Sequence, residues 1–205
     1  MPLLHRSPPT GAPPFSAGDE SDVALVLAAQ RDPHAFAPLF TRYWDVVLRY
    51  CRFRLVDRQE AEDAASQVFV DAYAGLHRFQ DRGRAGSFRS WLFTIAHHEI
   101  ANRHRYRVRH PASPLEDMEE SLGTNQKVEQ AETIDELARM TALVRELSDR
   151  PREVVELRLV GLTDREIAEV LGITGQAVRQ AQSRAVAQLR IRMGVTPHAK
   201  RNSHD

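Results

Sequence analysis

One cysteine, Cys51, stands in 205 residues, so no internal disulfide framework holds this chain together. Cys51 falls on an apolar helical stripe, where a free thiol acts as a small core side chain. No apolar run approaches the roughly 18–20 residues that a membrane-spanning helix needs. The N-terminus lacks the long apolar segment of a secretory signal. Charge of one sign is not in excess either: 28 Lys+Arg face 28 Asp+Glu, which excludes a uniformly basic DNA-coating protein. Neither kind of phosphate-binding glycine loop is present, and there is no nucleophile elbow. His98-Glu99 opens like a zinc-protease helix, but the second histidine would fall at position 102, which is Asn102. His104 faces elsewhere, so no side-by-side metal pair forms. The expectation is a non-enzyme without metal, cofactor or small-molecule substrate, cytoplasmic and not inserted in a membrane.

What is present is folded-protein composition, 42% apolar and 27% charged, with its charge sorted into blocks. The most informative block covers residues 163–192. Thr163 and Glu166 have capping-box spacing, and Ile167, Ala168 and Leu171 share a helical face. Gly172 supplies a left-handed stop, and Thr174 is a second N-cap opening a longer helix. Ala168, Gly172 and Val178 are spaced for two helices crossing about a tight turn, a helix-turn-helix. Arg179, Arg184, Arg190 and Arg192 lie on the second helix, with no acidic residue between Thr174 and Arg192. A helix that enters the major groove of DNA has this character; a solvated helix pair with arginines on its wet face is the plainer reading.

Residues 1–20, rich in proline, read as a disordered leader. Residues 21–109 read as helices. Ser21 or Asp22 caps a short one, and Asp32-Pro33 begins the next, with a stripe of Phe36, Leu39, Phe40, Tyr43, Val47, Tyr50 and Cys51. Pro38 within that stripe predicts a kink or a later start. Asp57 and Glu60 cap a third helix that buries Ala61, Ala64, Ala65, Val68, Phe69, Ala72 and Leu76. Its other side exposes Glu62, Asp63, Ser66, Gln67 and Val70, either plain surface or a docking face. A loop at 78–87 leads to a helix from Ser87, with Phe88, Trp91, Leu92, Ile95 and Ala96 inward. Between Arg78 and Arg109 eight arginines face two acids, Asp81 and Glu99, a local potential that attracts phosphates. With Phe79, Phe88, Trp91 and Tyr106 nearby, this segment reads as a platform for unstacked bases; Phe88 and Trp91 read equally as core.

Residues 110–132 form a linker, with Pro111, Pro114 and the acids Glu116, Asp117, Glu119 and Glu120. Thr133 and Glu136 restart helix to about Leu147. Ser148 or Asp149 with Pro151 opens the next, and Gly161 ends it. Residues 194–205 are a polar tail. The fold expected is all-α: an N-terminal helical bundle (21–109) and a C-terminal four-helix domain with the helix-turn-helix (133–193), joined by a flexible acidic linker.

Two basic helical units about an acidic linker resemble the extracytoplasmic-function (ECF) sigma factors of bacterial RNA polymerase. The resemblance rests on AQRDPHAF (29–36), AEDAASQVFVDAY (61–73), FRSWLFTIAHHEIANRHR (88–105), LSDRPREVVELRLVGLTDREIAEVLGIT (147–174) and AVRQAQSRAVAQLR (177–190). It implies a promoter-specificity factor without covalent chemistry. Its partners would be core RNA polymerase (the clamp of the largest subunit and the flap of the second-largest), promoter DNA, and an anti-sigma factor. By the same resemblance Glu62, Asp63, Ser66 and Gln67 dock on the clamp coiled coil. Relatives carry Gln-Glu where this chain has Ser66-Gln67, so that contact has one carboxylate fewer. The loop 79–87 would hold a flipped base of the −10 element. The −10 set is Phe79, Arg82, Arg84, Ser87, Arg89, Trp91, His98, Asn102, Arg103 and Arg105. His98 and Asn102 stand where many relatives have asparagine and aspartate. In the second domain Thr174, Gln176, Arg179, Gln180, Ser183 and Arg184 would read the −35 element. Ala181 and Gln182 replace an arginine and a leucine common in relatives. The linker would thread the active-site and RNA-exit channels.

Two other readings share these features. A stand-alone helix-turn-helix regulator would use residues 21–109 for dimerisation or ligand binding, and would bind duplex DNA without polymerase. An interaction module that mimics a sigma factor would keep the docking face and tolerate loss of the recognition-helix arginines.

Overall fold

The computed structural model describes residues 21–81, 83, 86–110 and 142–193, and all regular structure in them is helical. The leader, most of the linker, the restart at Thr133 and Glu136, the tail, and the loop arginines Arg82 and Arg84 lie outside the described residues.

Helix α1 (Asp22–Arg31) starts where the Ser21 side chain accepts a hydrogen bond from the Ala24 amide. Asp32 then caps a short 3-10 turn, Pro33–Phe36, and α2 (Ala37–Arg54) begins directly after it. This disposes of the Pro38 difficulty: the proline sits in the first turn of α2, where its missing N–H has no helical partner to lose. Asp57 caps α3 (Arg58–Gly75), accepting from the Gln59 and Glu60 amides, and the Leu76–Arg78 3-10 turn ends it. Helix α4 (Ser87–Arg109) follows Gly86, whose φ of 80° is open to glycine at little cost.

The bundle closes on the α3 alanine stripe. Ala61, Ala64, Ala65 and Ala72 are all fully buried, and such small side chains let α2 and α4 pack close on either side. Leu39, Tyr43, Val47, Tyr50 and Cys51 face them from α2, and Leu92, Phe93, Ala96 and Ile100 from α4. Burial pushes the Cys51 thiol up to about 12, so it is inert at neutral pH. Two expectations change. Phe40 is not core; it is 39% exposed and stacks on Trp44 at the surface. Phe93 and Ile100, absent from the expected stripe of α4, are fully buried.

The second unit has helix at 142–145, then α5 (Asp149–Leu159), α6 (Asp164–Leu171) and α7 (Gly175–Arg192). The Thr163–Glu166 capping box is complete, Gly172 is left-handed at φ 61°, and Thr174 accepts from the Ala177 amide. Val178 is fully buried against the preceding helices, as a helix-turn-helix requires. The two units share one apolar core: Val154, Leu157, Ile167 and Val170 are continuous with the buried residues of the bundle, and α6 packs on α4. Val144, Leu147 and Ala185 form a separate small cluster within the second unit.

Candidate nucleic-acid interface

The loop before α4 is held from a distance. Gln30 Nε2 donates to the carbonyls of both Leu76 and Phe79, each at 2.9 Å, and so fixes where Phe79 emerges. Phe79, Phe88 and Trp91 then meet as a ring cluster with centroids 5.1–5.7 Å apart. Phe88 is core, whereas Phe79 and Trp91 are half-buried and present ring surface to the outside. Beside them a cavity of about 420 Å³ is lined by Ser21, Asp22, Val26, Phe79, Gly83 and Ser87, among others. The N-terminal end of α1 as a wall of this cavity had no signal in the sequence, because the contact joins segments about sixty residues apart.

Beyond the loop, α4 carries its charge outward. His98, Asn102 and Arg105 are exposed, with Arg105 donating to Asn102 at 2.5 Å, and Arg103 is paired to Glu99 at 2.6 Å. Arg107 pairs with Glu60 of α3, which ties the basic end of α4 to the bundle. Such pairs orient guanidinium groups while leaving donors for phosphates. His97 on the inner side is different. Burial, followed by Arg54, His98 and Arg150, pushes it down to about 4, so at neutral pH it is an uncharged core residue whose Nδ1 lies 3.2 Å from the Tyr50 hydroxyl.

On α7, Val178, Ala181 and Ala185 face inward, which leaves Gln176, Arg179, Gln180, Ser183 and Arg184 exposed on the opposite side. Arg179, Gln182, Ser183, Val186 and Arg190 line a shallow groove along it. Thr174 is engaged as the N-cap, so of the expected −35 set its side chain has a structural task already.

On α3 the expected docking residues do share one exposed flank. Glu62 is the most restrained: hydrogen bonds from Arg58 and Arg52 hold its carboxyl below the ordinary range. Gln59 donates to Asp63 at 3.2 Å and Gln67 to Asp71 at 2.8 Å, while Ser66 bonds its own helix backbone. Val70, 59% exposed, continues the flank.

Arg89 is in a different position from the other expected DNA contacts. Its Nε and Nη2 donate to Glu166 of α6 at 2.8 and 2.7 Å. Neighbouring Ser90 donates to Glu169 at 2.7 Å. On the far side of the junction Arg54 donates to Glu156 at 2.9 Å, with Glu153 3.8 Å away. Burial pushes the Glu156 carboxyl up and Arg54 offsets part of that. The sequence displays Glu166 as a cap and gives no sign of its second partner. Among the described residues no group of three or more His, Cys, Asp or Glu could hold a metal ion, and no helix is long and apolar enough to cross a membrane.

Comparison with known proteins agrees with this layout. Sigma-70 region 2 matches residues 39–110 and Sigma-70, region 4 matches residues 137–189. The chain is 35% identical over 179 residues to the ECF RNA polymerase sigma factor SigD of Mycobacterium tuberculosis H37Rv, covering 84% of each. It is 36% identical over 188 residues to the ECF sigma factor ShbA of Streptomyces griseus, covering 84% of this chain and 96% of the other. Among solved structures it resembles CnrH in complex with the cytosolic domain of CnrY, with a TM-score of 0.65, 25% identity, and coverage of 87% of this chain and 100% of that one. Helical bundle, helix-turn-helix and both matched regions lead to one conclusion: the chain belongs to the ECF sigma factors, which bind core RNA polymerase and promoter DNA and direct transcription initiation at specific promoters.

Proposed function

We propose that each face has a separate task in promoter recognition. The loop 79–87 and α4 capture the melted −10 element, with Phe79 and Trp91 offering ring surface to an unstacked base. The cavity beside Phe79 receives that base, and Asn102, Arg103, Arg105 and His98 grip the upstream edge. Helix α7 enters the major groove of the −35 element through Gln176, Arg179, Gln180, Ser183 and Arg184. The α3 flank of Glu62, Asp63, Ser66 and Gln67 docks on the polymerase clamp. The protein does no covalent chemistry itself and works in the cytoplasm. By analogy with CnrH, solved with the cytosolic domain of CnrY, a protein partner covers the reading faces when the factor is silent.

The observation that carries this reading is the aromatic cluster and cavity placed at the head of a basic helix. Opening a base-pair step forfeits stacking of about 1.4 kcal/mol, and a protein without chemistry can offset this only by holding the freed bases. The regulator reading needed residues 21–109 as a dimerisation or ligand domain; most of that segment, from residue 39 on, matches Sigma-70 region 2 instead.

The test is a fluorescent base analogue placed through the −10 non-template strand of a promoter bound by reconstituted holoenzyme. Unstacking at one position that is lost with Phe79→Ala and Trp91→Ala supports the reading. Unstacking unaffected by both substitutions overturns the assignment of the base site.

A further inference from the structure

The junction between the two units places acids of α6 on the end of α4 proposed to meet DNA. We propose that the free chain is self-closed: Glu166 and Glu169 occupy the anion site of Gly86, Arg89 and Ser90, and α6 must leave before promoter DNA can engage Arg89. This rests on the −10 reading of α4.

Four observations converge on it. Arg89 grips Glu166 with two parallel hydrogen bonds, the fork geometry a guanidinium also uses on a phosphate, and the side chains are only 14% and 1% exposed. Ser90 adds a hydroxyl donor to Glu169 one turn further along α6. Gly86 is shaped to this occupant: a Cβ there would lie 1.9 Å from Glu166 Oε1, so the left-handed glycine makes room for the carboxylate itself. A second ion pair, Arg54 with Glu156, closes the other side of the junction at 9% and 1% exposure and belongs to neither proposed DNA face.

The closure is one-sided. Gln176, Arg179, Gln180, Ser183 and Arg184 stay exposed on α7, which packs on α5 and α6 and turns its reading side away. Closure therefore withholds Arg89 and Ser90 from the −10 strand and leaves the −35 helix open. Because an apparent affinity falls by the fraction of molecules that are competent, weakening the junction must raise single-strand binding alone.

The experiment uses the full chain and the Arg54→Glu variant, which sets three acids together at the junction but lies outside both DNA faces. Radius of gyration is read by small-angle X-ray scattering, and affinity for fluorescein-labelled oligothymidylate by anisotropy, a probe that reports backbone and stacking without sequence. Expected are a larger radius and an affinity gain of about tenfold or more, with the charge-swapped R54E/E156R restoring both values. An unchanged radius, an unchanged affinity, or failure of the swap to restore closure overturns the proposal. Arg89→Ala in the R54E background separates the two readings. Loss of oligothymidylate affinity there is expected; undiminished affinity sinks Arg89 as a phosphate contact, and the proposal with it, even if the chain opens.

Discussion

Glu166 and Arg89, 77 residues apart in sequence, meet in a two-pronged ion pair while Glu166 also completes the capping box of the helix-turn-helix. One carboxylate thus serves the local start of α6 and the junction between units. Thr163 donates to it from both backbone and hydroxyl, at 2.8 and 2.7 Å. Glu166→Gln keeps an acceptor for the cap and loses the charge facing Arg89, whereas Glu166→Ala loses both. Urea denaturation should therefore rank Ala below Gln, with the missing cap alone costing about 0.5–2 kcal/mol. Equal stability of the two variants would show that the cap contributes nothing.

Two glycines of one loop should answer differently to alanine. Gly83 and Gly86 both have positive φ, 65° and 80°, but nothing lies within 4 Å of a Cβ at Gly83, while one at Gly86 would strike Glu166. Gly83→Ala should cost only the left-handed penalty, about 1–2 kcal/mol. Gly86→Ala should cost more and weaken the Arg89–Glu166 pair as well. Thermal melts of the two variants check this, and an equal loss would contradict it.

Acid should destabilise the protein through His97. An unfolded histidine takes its proton near 6.5, but in the fold His97 does so only at about 4. As pH falls from 6.5 towards 4, the unfolded state binds the proton first, and stability declines across that window before levelling. The groups around the ring, Tyr50, Arg54, His98 and Arg150, supply no acid to hold the cation. Unfolding free energy measured against pH should show this slope in the parent and a shallower one in His97→Asn. Equal slopes would contradict it.

Arg179 is exposed on the reading side of α7. If it contacts a guanine with both guanidinium nitrogens, Arg179→Ala costs about 1–3 kcal/mol on the cognate −35 element and relaxes choice at that position. Equal loss on every −35 sequence would make it a phosphate contact. Competition binding of holoenzyme to single-base variants distinguishes them.

The helices were legible wherever the signal was local. Thr163, Gly172 and Thr174 act as their spacing foretells, and the α3 alanine stripe is buried residue for residue. What escaped was made by distant partners. Phe40 lies in register with the α2 stripe yet ends at the surface on Trp44, because helical period names a face but not its edge. Gln30 carries no long-range signal in the sequence, yet its side chain anchors Phe79. Glu166 reads as a cap and Glu169 carries no signal of its own, and only the docking of α6 on α4 gives them Arg89 and Ser90.

The promoter-specificity role is tested most directly by run-off transcription with purified core polymerase over promoter fragments, with and without this protein. It predicts discrete new transcripts that fail with Asp63→Ala, through lost polymerase docking, and with Arg184→Ala, through lost −35 recognition, while both variants melt like the parent. Promoter-independent output, or transcripts indifferent to both substitutions, would contradict it.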